Sequence, residues 1–220
     1  MGNIISSKTI NCNYPCDKIS KKELKRIEAL MHNNSNSFSA STNFITNGQT
    51  LGDLIKIDQE YLKSVYMTCE QVASCLELIY NNYRELIKRV EKEEKMIRTK
   101  ALLEINAETI NKTKSNARLH YGNDVLYRAL KINDNLHIGS LFFKGAQYCP
   151  FRNKKYETTD EEFASSDLIL LATINDKYYE IKFGLLAIHM IRTHGFFGGD
   201  PADRIDPQII VPILKQYTAL

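Results

Sequence analysis

Residues 167–183 read DLILLATINDKYYEIKF, and this stretch decides the fold class that the sequence predicts. The apolar run DLILLATI (167–174) and the partly alternating run KYYEIKF (177–183) both favour β-strands. Only Asn175 and Asp176 lie between them, and both residue types tolerate the positive φ angles of a tight hairpin turn. The stretch therefore predicts a β-hairpin and, with it, a mostly antiparallel sheet.

One more strand is predicted before this hairpin and one helix directly after it. LHIGSLFF (136–143) has the composition of a strand. GLLAIHMIRTH (184–194) has helical apolar spacing, and it stops at Gly195, a residue type that commonly ends helices. The sheet is therefore expected to have a helix packed against it.

A last helix is predicted at the C-terminal end of the chain. Asp206 and Pro207 form the N-cap and first-turn pair that opens QIIVPILKQY, with Pro212 inside this helix. The order strand, hairpin, helix, helix predicts the α+β class, with a small antiparallel-sheet domain over residues 118–220.

A long helical region is predicted before this domain, over residues 51–115. Its apolar residues follow the alternating three-and-four step of a heptad repeat, interrupted only by Asp58 and Glu93. The repeat is formed by Ile55, Leu62, Val65, Cys69, Val72, Leu76, Ile79, Tyr83, Leu86, Val90 and Ile97. Two arrangements fit: a long helix or coiled coil that continues to about Asn111, or two antiparallel helices that fold back near 91–100. In either, the apolar face requires a partner, which is another copy of the chain, another helical protein or the C-terminal domain.

The first residues, MGNIISSK (1–8), match the pattern M-G-x-x-x-[ST] that directs N-myristoylation. Removal of the initiator methionine would free the Gly2 amine for acylation, and Ser6 stands at the required position. One myristoyl chain holds a protein to a membrane only weakly, so a second signal is expected. Cys12 and Cys16 are candidates for palmitoylation as that signal.

The excess positive charge of the chain lies in the same N-terminal segment. The chain has 29 Lys and Arg against 26 Asp and Glu, a net charge of +3. Residues 1–32 hold six of the basic and three of the acidic residues, so the remaining 23 and 23 cancel. A capping box of Ser20 and Glu23 predicts a basic amphipathic helix in this segment. The residues expected to contact an anionic membrane surface are Lys18, Lys21, Lys22, Lys25 and Arg26.

Residues 33–50 are uncharged and rich in Asn, Ser and Thr, which is typical of a linker. Phe38, Phe44 and Ile45 within it are expected to contact the folded body. Thr50 is the predicted N-cap of the helical region that follows.

Composition and missing motifs argue against several classes of protein. No run of 18 apolar residues is present, so no transmembrane helix is expected, and without an apolar signal-peptide core we expect no secretion. The five cysteines are then expected to be reduced. Nucleic-acid binding is not expected because the body is electroneutral and lacks a basic aromatic face. Neither phosphate-binding glycine motif occurs, and no cofactor or metal is predicted.

One stretch, HMIRTHGFFGGDPADRIDP (189–207), is dense in residues that could carry out chemistry. Its catalytic candidates are His189, His194, Asp200, Arg204 and Asp206. A His–Asp pair could transfer protons, and the arginine could bind an anion. Against this, two histidines five residues apart point about 140° away from each other on a helix. The glutamate of the HExxH metal motif is also absent.

A structural account of the same stretch is equally direct. Gly195 would cap the helix, and Arg204 would form an ion pair with Asp203 or Asp206. Cys149 in GAQYCPF is the one candidate nucleophile elsewhere, but nothing near it in the sequence supplies a base. The sequence therefore favours a role other than catalysis.

Three functional hypotheses remain open at this point. The favoured one is an N-myristoylated peripheral protein on the cytosolic leaflet of a membrane. It would act as a scaffold, matrix or assembly protein, including a virus-encoded structural protein, through its long helix and C-terminal domain. The second is a membrane-targeted enzyme with its site around residues 189–206. The third is a soluble structural protein that self-assembles, in which the N-terminal match is incidental.

Overall fold

The structure is a computed structural model of the 220-residue chain. It describes residues 19–32, 44–46, 48–104, 118–121, 124–141, 146–151, 163–164, 168–199 and 204–218. Within these residues, helices pack against an antiparallel five-stranded sheet. The fold class is α+β, as predicted.

The described residues form five helices and seven strands. The helices are α1 (Lys21–His32), α2 (Leu51–Ser64), α3 (Cys69–Glu104), α4 (Leu185–His194) and α5 (Pro207–Thr218). The strands are β1 (Arg118–Tyr121), β2 (Asp124–Asn133), β3 (Leu136–Leu141), β4 (Ala146–Gln147), β5 (Phe163–Ala164), β6 (Leu168–Ile174) and β7 (Lys177–Phe183). None of these helices combines the length and the hydropathy that a bilayer crossing requires.

The main sheet has the strand order β1-β2-β3-β6-β7, with every neighbouring pair antiparallel. The predicted hairpin is confirmed: Asn175 and Asp176 have φ angles of 49° and 60°, and Ile174 pairs with Lys177. Residues 168–172 of β6 are buried without a break, which explains why the apolar run does not alternate. A small second sheet, β4-β5, lies between β3 and β6 in the chain.

The predicted helix starts at the N-terminal side are confirmed. The Ser20 hydroxyl accepts a hydrogen bond from the Glu23 backbone N–H at 3.2 Å, which caps α1. The Thr50 hydroxyl accepts one from the Asp53 N–H, also at 3.2 Å, which caps α2. Both caps satisfy backbone donors that the first turn of a helix leaves without a helical partner.

The predicted helix boundaries at the C-terminal side are also confirmed. Gly195 ends α4 with a left-handed φ of 65°, which a residue with a Cβ adopts only with strain. Asp206 precedes α5, and its carboxylate accepts a hydrogen bond from Gln208 N–H at 2.8 Å. Pro212 lies inside α5, as the sequence indicated.

The predicted long helical region is divided into two helices by a turn over residues 65–68. Tyr66 has a left-handed φ of 58° in this turn. Thr68 and Gln71 then form a reciprocal capping box, with bonds of 2.9 and 3.1 Å, that starts α3. Because α3 continues without interruption through residues 91–100, the alternative of two antiparallel helices that fold back there is wrong. The expected end of the helix near Asn111 lies outside the described residues.

The heptad face of α3 is internal core in its first half and only partly covered in its second. Val72 and Leu76 are fully buried, and Tyr83 is 4% exposed, in a cluster shared with β3, β6, β7, α4 and α5. Leu86 is 42% exposed, and residues 91–96 are all exposed. We call residues 84–104 the arm of α3; at 1.5 Å per residue it is about 30 Å long.

A second apolar cluster holds α1 against α2 and α4. Ile27 and Met31 on α1 are 2% and 0% exposed within it. Ile45 is also buried there and Phe44 packs against it, which confirms the expected contact for these two residues, whereas Phe38 lies outside the described residues. The carbonyl of Phe44 accepts a hydrogen bond from Gly199 N–H at 2.8 Å. The apolar face of α1 is thus occupied by the protein itself.

Candidate functional sites

The predicted membrane-binding residues of α1 lie on its outer side. Lys21, Lys22 and Lys25 are exposed; we call these three residues the basic face. Arg26 is exposed too, but its guanidinium lies 2.8 Å from the Glu23 carboxylate on the same helix. The hydrogen bond to Glu23 is the largest of the effects that raise the pKa of Arg26. The charge of Arg26 is therefore partly neutralised within α1.

The second carboxylate of α1 points toward the protein. Glu28 accepts a hydrogen bond from the Leu51 N–H at 3.0 Å, at the first turn of α2. That position also carries the partial positive charge of a helix N-terminus. Both acidic residues of α1 therefore have partners within the chain, while the basic face remains exposed. Gly2, Cys12, Cys16 and Lys18 lie outside the described residues.

A cysteine and two histidines come together at the C-terminal end of α4. Cys149, His189 and His194 each offer one donor atom, and these atoms lie within 4.8 Å of one another. Cys149 Sγ lies 3.3 Å from His194 Nε2. Cys149 and His194 are buried, at 4% and 7% exposure, and His189 is half-buried. We call this group the CHH cluster.

The ring of His194 is fixed by its neighbours. Phe151 stacks on it with ring centroids 4.1 Å apart and an angle of 9° between the planes. Phe196 meets Phe151 edge-on at 5.9 Å. Since Phe151 is two residues from Cys149, the same turn places both the thiol and the stacking ring beside His194.

The expectation that the two histidines point apart is wrong for their rings. The centroids of His189 and His194 lie 5.4 Å apart at an angle of 77°. Helical geometry separates the Cα–Cβ bonds of such a pair, but an imidazole reaches several ångströms beyond its Cβ. His194 is also the last residue of α4, next to Gly195, so no further turn of helix lies between the two rings and Cys149.

Arg192 joins this end of α4 to the buried half of α3. Its guanidinium donates to Glu77 at 2.6 Å and to Glu70 at 3.2 Å. The hydrogen bond to Glu77 is the largest of the effects that raise the pKa of Arg192. These bonds add to the apolar packing of α4 against α3 in the core.

Arg204 forms an ion pair, but with a residue far away in the chain. Its guanidinium makes two hydrogen bonds to Asp58 on α2 and one to the carbonyl of Gly198 at 2.6 Å. The predicted pairing with Asp206 is wrong, and Asp203 lies outside the described residues. Burial raises the pKa of the Asp58 carboxyl, which is 2% exposed, and the Arg204 guanidinium opposes that shift.

The catalytic candidates of residues 189–207 are thus divided between two places. Arg204 and Asp206 line an open groove of about 280 Å³ together with Gln49, Tyr179 and Glu180. The two histidines lie beside Cys149 instead, and neither lines this groove. Asp200 lies outside the described residues. Of the candidates that the structure describes, Asp206 therefore lies at the groove and the two histidines lie beside a thiol.

Sequence reasoning missed two of these partnerships, although each left a signal. Asp58 occupies an apolar position of the heptad repeat, and a carboxylate in a core requires a partner. His189 and His194 are separated by four residues, which falls within the H-x₃₋₅-H spacing of zinc sites. The contribution of Cys149 depends on tertiary structure, since 39 residues separate it from His189.

Compared with known proteins, the chain matches no family model, no curated protein and no solved structure.

Proposed function

We propose that this chain is an N-myristoylated peripheral protein of the cytosolic leaflet that serves as a scaffold or assembly protein. The observation that carries the proposal is the joint occurrence of the Gly2–Ser6 acylation motif and an outward-facing basic helix. The lipid would supply one membrane signal, and the basic face of α1 would supply the second.

The packing of α1 supports an electrostatic contribution and argues against insertion of the helix. Because Ile27 and Met31 are buried against the protein, α1 would meet the bilayer with its charged side. Each lysine near an anionic surface contributes about 1 kcal/mol, so the three residues of the basic face would increase binding roughly 100-fold.

The arm of α3 would provide the assembly function. Leu86 and Val90 continue the heptad spacing beyond the core, where Leu86 is exposed and Val90 half-buried. We infer that the partner is a second copy of this chain, because Arg89 and Glu94, at the two positions that flank the heptad stripe, carry opposite charges and would pair between two copies. A viral matrix or capsid layer is one form that such an assembly would take.

Measurements of intact mass and of flotation with vesicles test the membrane attachment. In a eukaryotic cell we expect loss of the initiator methionine and a gain of one myristoyl group, and Gly2→Ala should abolish flotation with anionic vesicles. If palmitate on Cys12 or Cys16 adds a second signal, a further acyl mass will appear. Retained methionine or an unmodified Gly2 would overturn the lipid anchor and favour a soluble, self-assembling protein.

The contribution of the basic face to membrane binding is tested by replacing its lysines, with lysines of the arm as the control. Lys21→Gln, Lys22→Gln and Lys25→Gln together should weaken binding of the myristoylated chain to phosphatidylserine vesicles roughly 100-fold. The control replaces the same number of exposed lysines with Gln and should leave binding within about twofold. Its positions are Lys88, Lys92 and Lys95. Equal effects of the two triple variants would show that net charge, rather than α1, controls binding.

Assembly through the arm predicts a molar mass that rises with protein concentration. The double variant Leu86→Glu with Val90→Glu should remain monomeric at every concentration, because it places charges in the apolar seam. These positions are suitable because they lie outside the core, whereas Leu76 and Ile79 of the same repeat are buried in it. A wild-type mass fixed at 25.3 kDa would contradict self-assembly.

A further inference from the structure

We propose that the CHH cluster is a binding site for one zinc ion, or for another soft or borderline transition-metal ion, with Cys149, His189 and His194 as its ligands. The sequence alone predicts no metal, and the membrane role does not require one. The site therefore stands or fails independently of the proposed function.

The donor atoms of the CHH cluster suit zinc and related ions. Thiolate and imidazole together select zinc and related ions, whereas calcium and magnesium prefer oxygen ligands. Three protein ligands leave the fourth tetrahedral position open to water or to another small ligand, which is the arrangement of catalytic zinc sites.

The distances between the donor atoms also suit a single bound ion. With Zn–S near 2.3 Å and Zn–N near 2.0–2.1 Å, the sulfur and nitrogen ligands of a tetrahedral ion lie about 3.6 Å apart. Cys149 Sγ and His194 Nε2 are 3.3 Å apart, close to this separation. All three donor atoms lie within 4.8 Å, so the widest pair would have to close by at most about 1.5 Å, the value for two nitrogen ligands. Rotation of the half-buried His189 ring would supply that movement.

Neighbouring side chains hold both histidine rings in place. Phe151 fixes the plane of the His194 ring. Thr193 Oγ1 lies 3.4 Å from His189 Nδ1, and in the tautomer with the proton on Nδ1 this N–H donates a hydrogen bond to the Thr193 hydroxyl oxygen. That tautomer leaves the lone pair of His189 on Nε2 for a metal, which is the usual role of an outer hydrogen bond to a ligating histidine.

The electrostatic setting favours a bound cation over a reactive thiolate. The last turn of a helix carries partial negative charge, and His194 is the last residue of α4. Cys149 lies in an apolar cluster with Phe151, Leu186 and Met190, where an isolated thiolate would be unfavourable. A divalent ion compensates the thiolate, and it displaces the thiol proton to solvent when it binds. His189, the most exposed of the three residues, marks the side from which an ion would enter.

Cobalt binding to the full-length, metal-free chain tests the site. We expect one Co²⁺ per chain, a sulfur-to-cobalt charge-transfer absorption, and displacement of this absorption by Zn²⁺. Cys149→Ser should abolish the absorption, whereas Cys75→Ser, which removes a half-buried thiol on α3, should retain it. Absence of the absorption from the wild type, or its survival in Cys149→Ser, would overturn the proposal.

A second variant keeps the test decisive if Cys149→Ser does not fold. His189→Asn changes the half-buried ligand and should weaken cobalt binding at least about 10-fold. The matched change His137→Asn, on β3, should leave binding unaltered. Equal affinities of the two histidine variants would rule out His189 as a ligand. Rapid metal-independent alkylation of Cys149 would instead identify a reactive thiol and overturn the metal site.

Discussion

The two halves of α3 share one heptad spacing but lie in opposite environments. In the first half, Val72, Leu76 and Tyr83 lie in the core between the sheet and the two C-terminal helices. In the arm, Leu86 continues the same spacing and is 42% exposed. The spacing alone therefore predicts a helix with an apolar face, and it does not say what covers that face.

The width of the apolar face distinguishes the two halves. Positions next to the repeat are Ala73 and Tyr80 in the first half, both buried, so a broad surface packs on the core. In the arm the corresponding positions are Ile87, which is half-buried, and Glu94, which is exposed. A broad face is typical of a helix in a globular core, whereas a narrow stripe is typical of a helix that pairs with one other helix.

The largest expected effect concerns the two polar residues that interrupt the repeat. Asp58 is buried and paired with Arg204, so Asp58→Ala leaves an uncompensated guanidinium and should lower the free energy of unfolding by about 3–5 kcal/mol. Glu93 is exposed, so Glu93→Ala should change it by less than about 0.5 kcal/mol. Urea unfolding of both variants measures this difference. Similar effects would mean that the two halves of the repeat do not differ as described.

The pH dependence of stability sharpens the same contrast. Because burial raises the pKa of Asp58, the folded chain holds this proton more tightly than the unfolded chain does. The contribution of Asp58 to the free energy of unfolding is then fully present below the ordinary Asp pKa of about 3.9. It is lost as the pH rises through the raised pKa of the folded chain. The stability of the wild type relative to Asp58→Asn should therefore fall as the pH rises above about 4. A relative stability that rises with pH would show that attraction to Arg204 exceeds the effect of burial.

The core half of α3 should also be sensitive to loss of apolar volume. Leu76 is 0% exposed, so Leu76→Ala removes buried methyl groups and leaves a cavity. We expect the free energy of unfolding to fall by about 2–5 kcal/mol, measured by urea titration. A loss below about 1 kcal/mol would indicate that the core does not extend to this helix.

The contact that holds α4 on α3 should have a smaller effect. Arg192 bonds to Glu70 and Glu77, and all three side chains are partly exposed, so solvent and salt screen the pairs. Arg192→Ala should cost about 1 kcal/mol, and less at high salt, whereas Arg89→Ala on the arm should cost almost nothing. If the cost of Arg192→Ala is unchanged by salt, packing of its side chain rather than charge holds the two helices together.

The parts of the fold that local residue patterns determine were predictable from the sequence. Asn175 and Asp176 determine a turn, and Gly195 determines a helix end, because each depends on backbone conformations that few residues adopt. The turn over residues 65–68 was predictable in principle from Thr68 and Gln71, a capping box hidden inside an unbroken apolar repeat.

The candidate sites were less predictable because their partners are distant in sequence. Arg204 lies next to Asp203 and Asp206, yet its described partner is Asp58, which is 146 residues away. Cys149 and His194 are 45 residues apart. Such pairs form only when separate elements pack together, so composition near a residue does not reveal them.

The smallest expected effect on stability is at Leu86. It shows most directly whether the arm belongs to the core or pairs with a second copy. Leu86→Ala should change the free energy of unfolding by less than about 0.5 kcal/mol in dilute protein, because the side chain is largely solvated. If the arm pairs with a second copy, the loss should increase between about 1 µM and about 100 µM protein, since association stabilises only the folded chain. A loss of about 2 kcal/mol or more that does not depend on concentration would place Leu86 within the core. The arm would then belong to the same packed unit as the first half of α3, and its exposed seam would no longer support self-assembly.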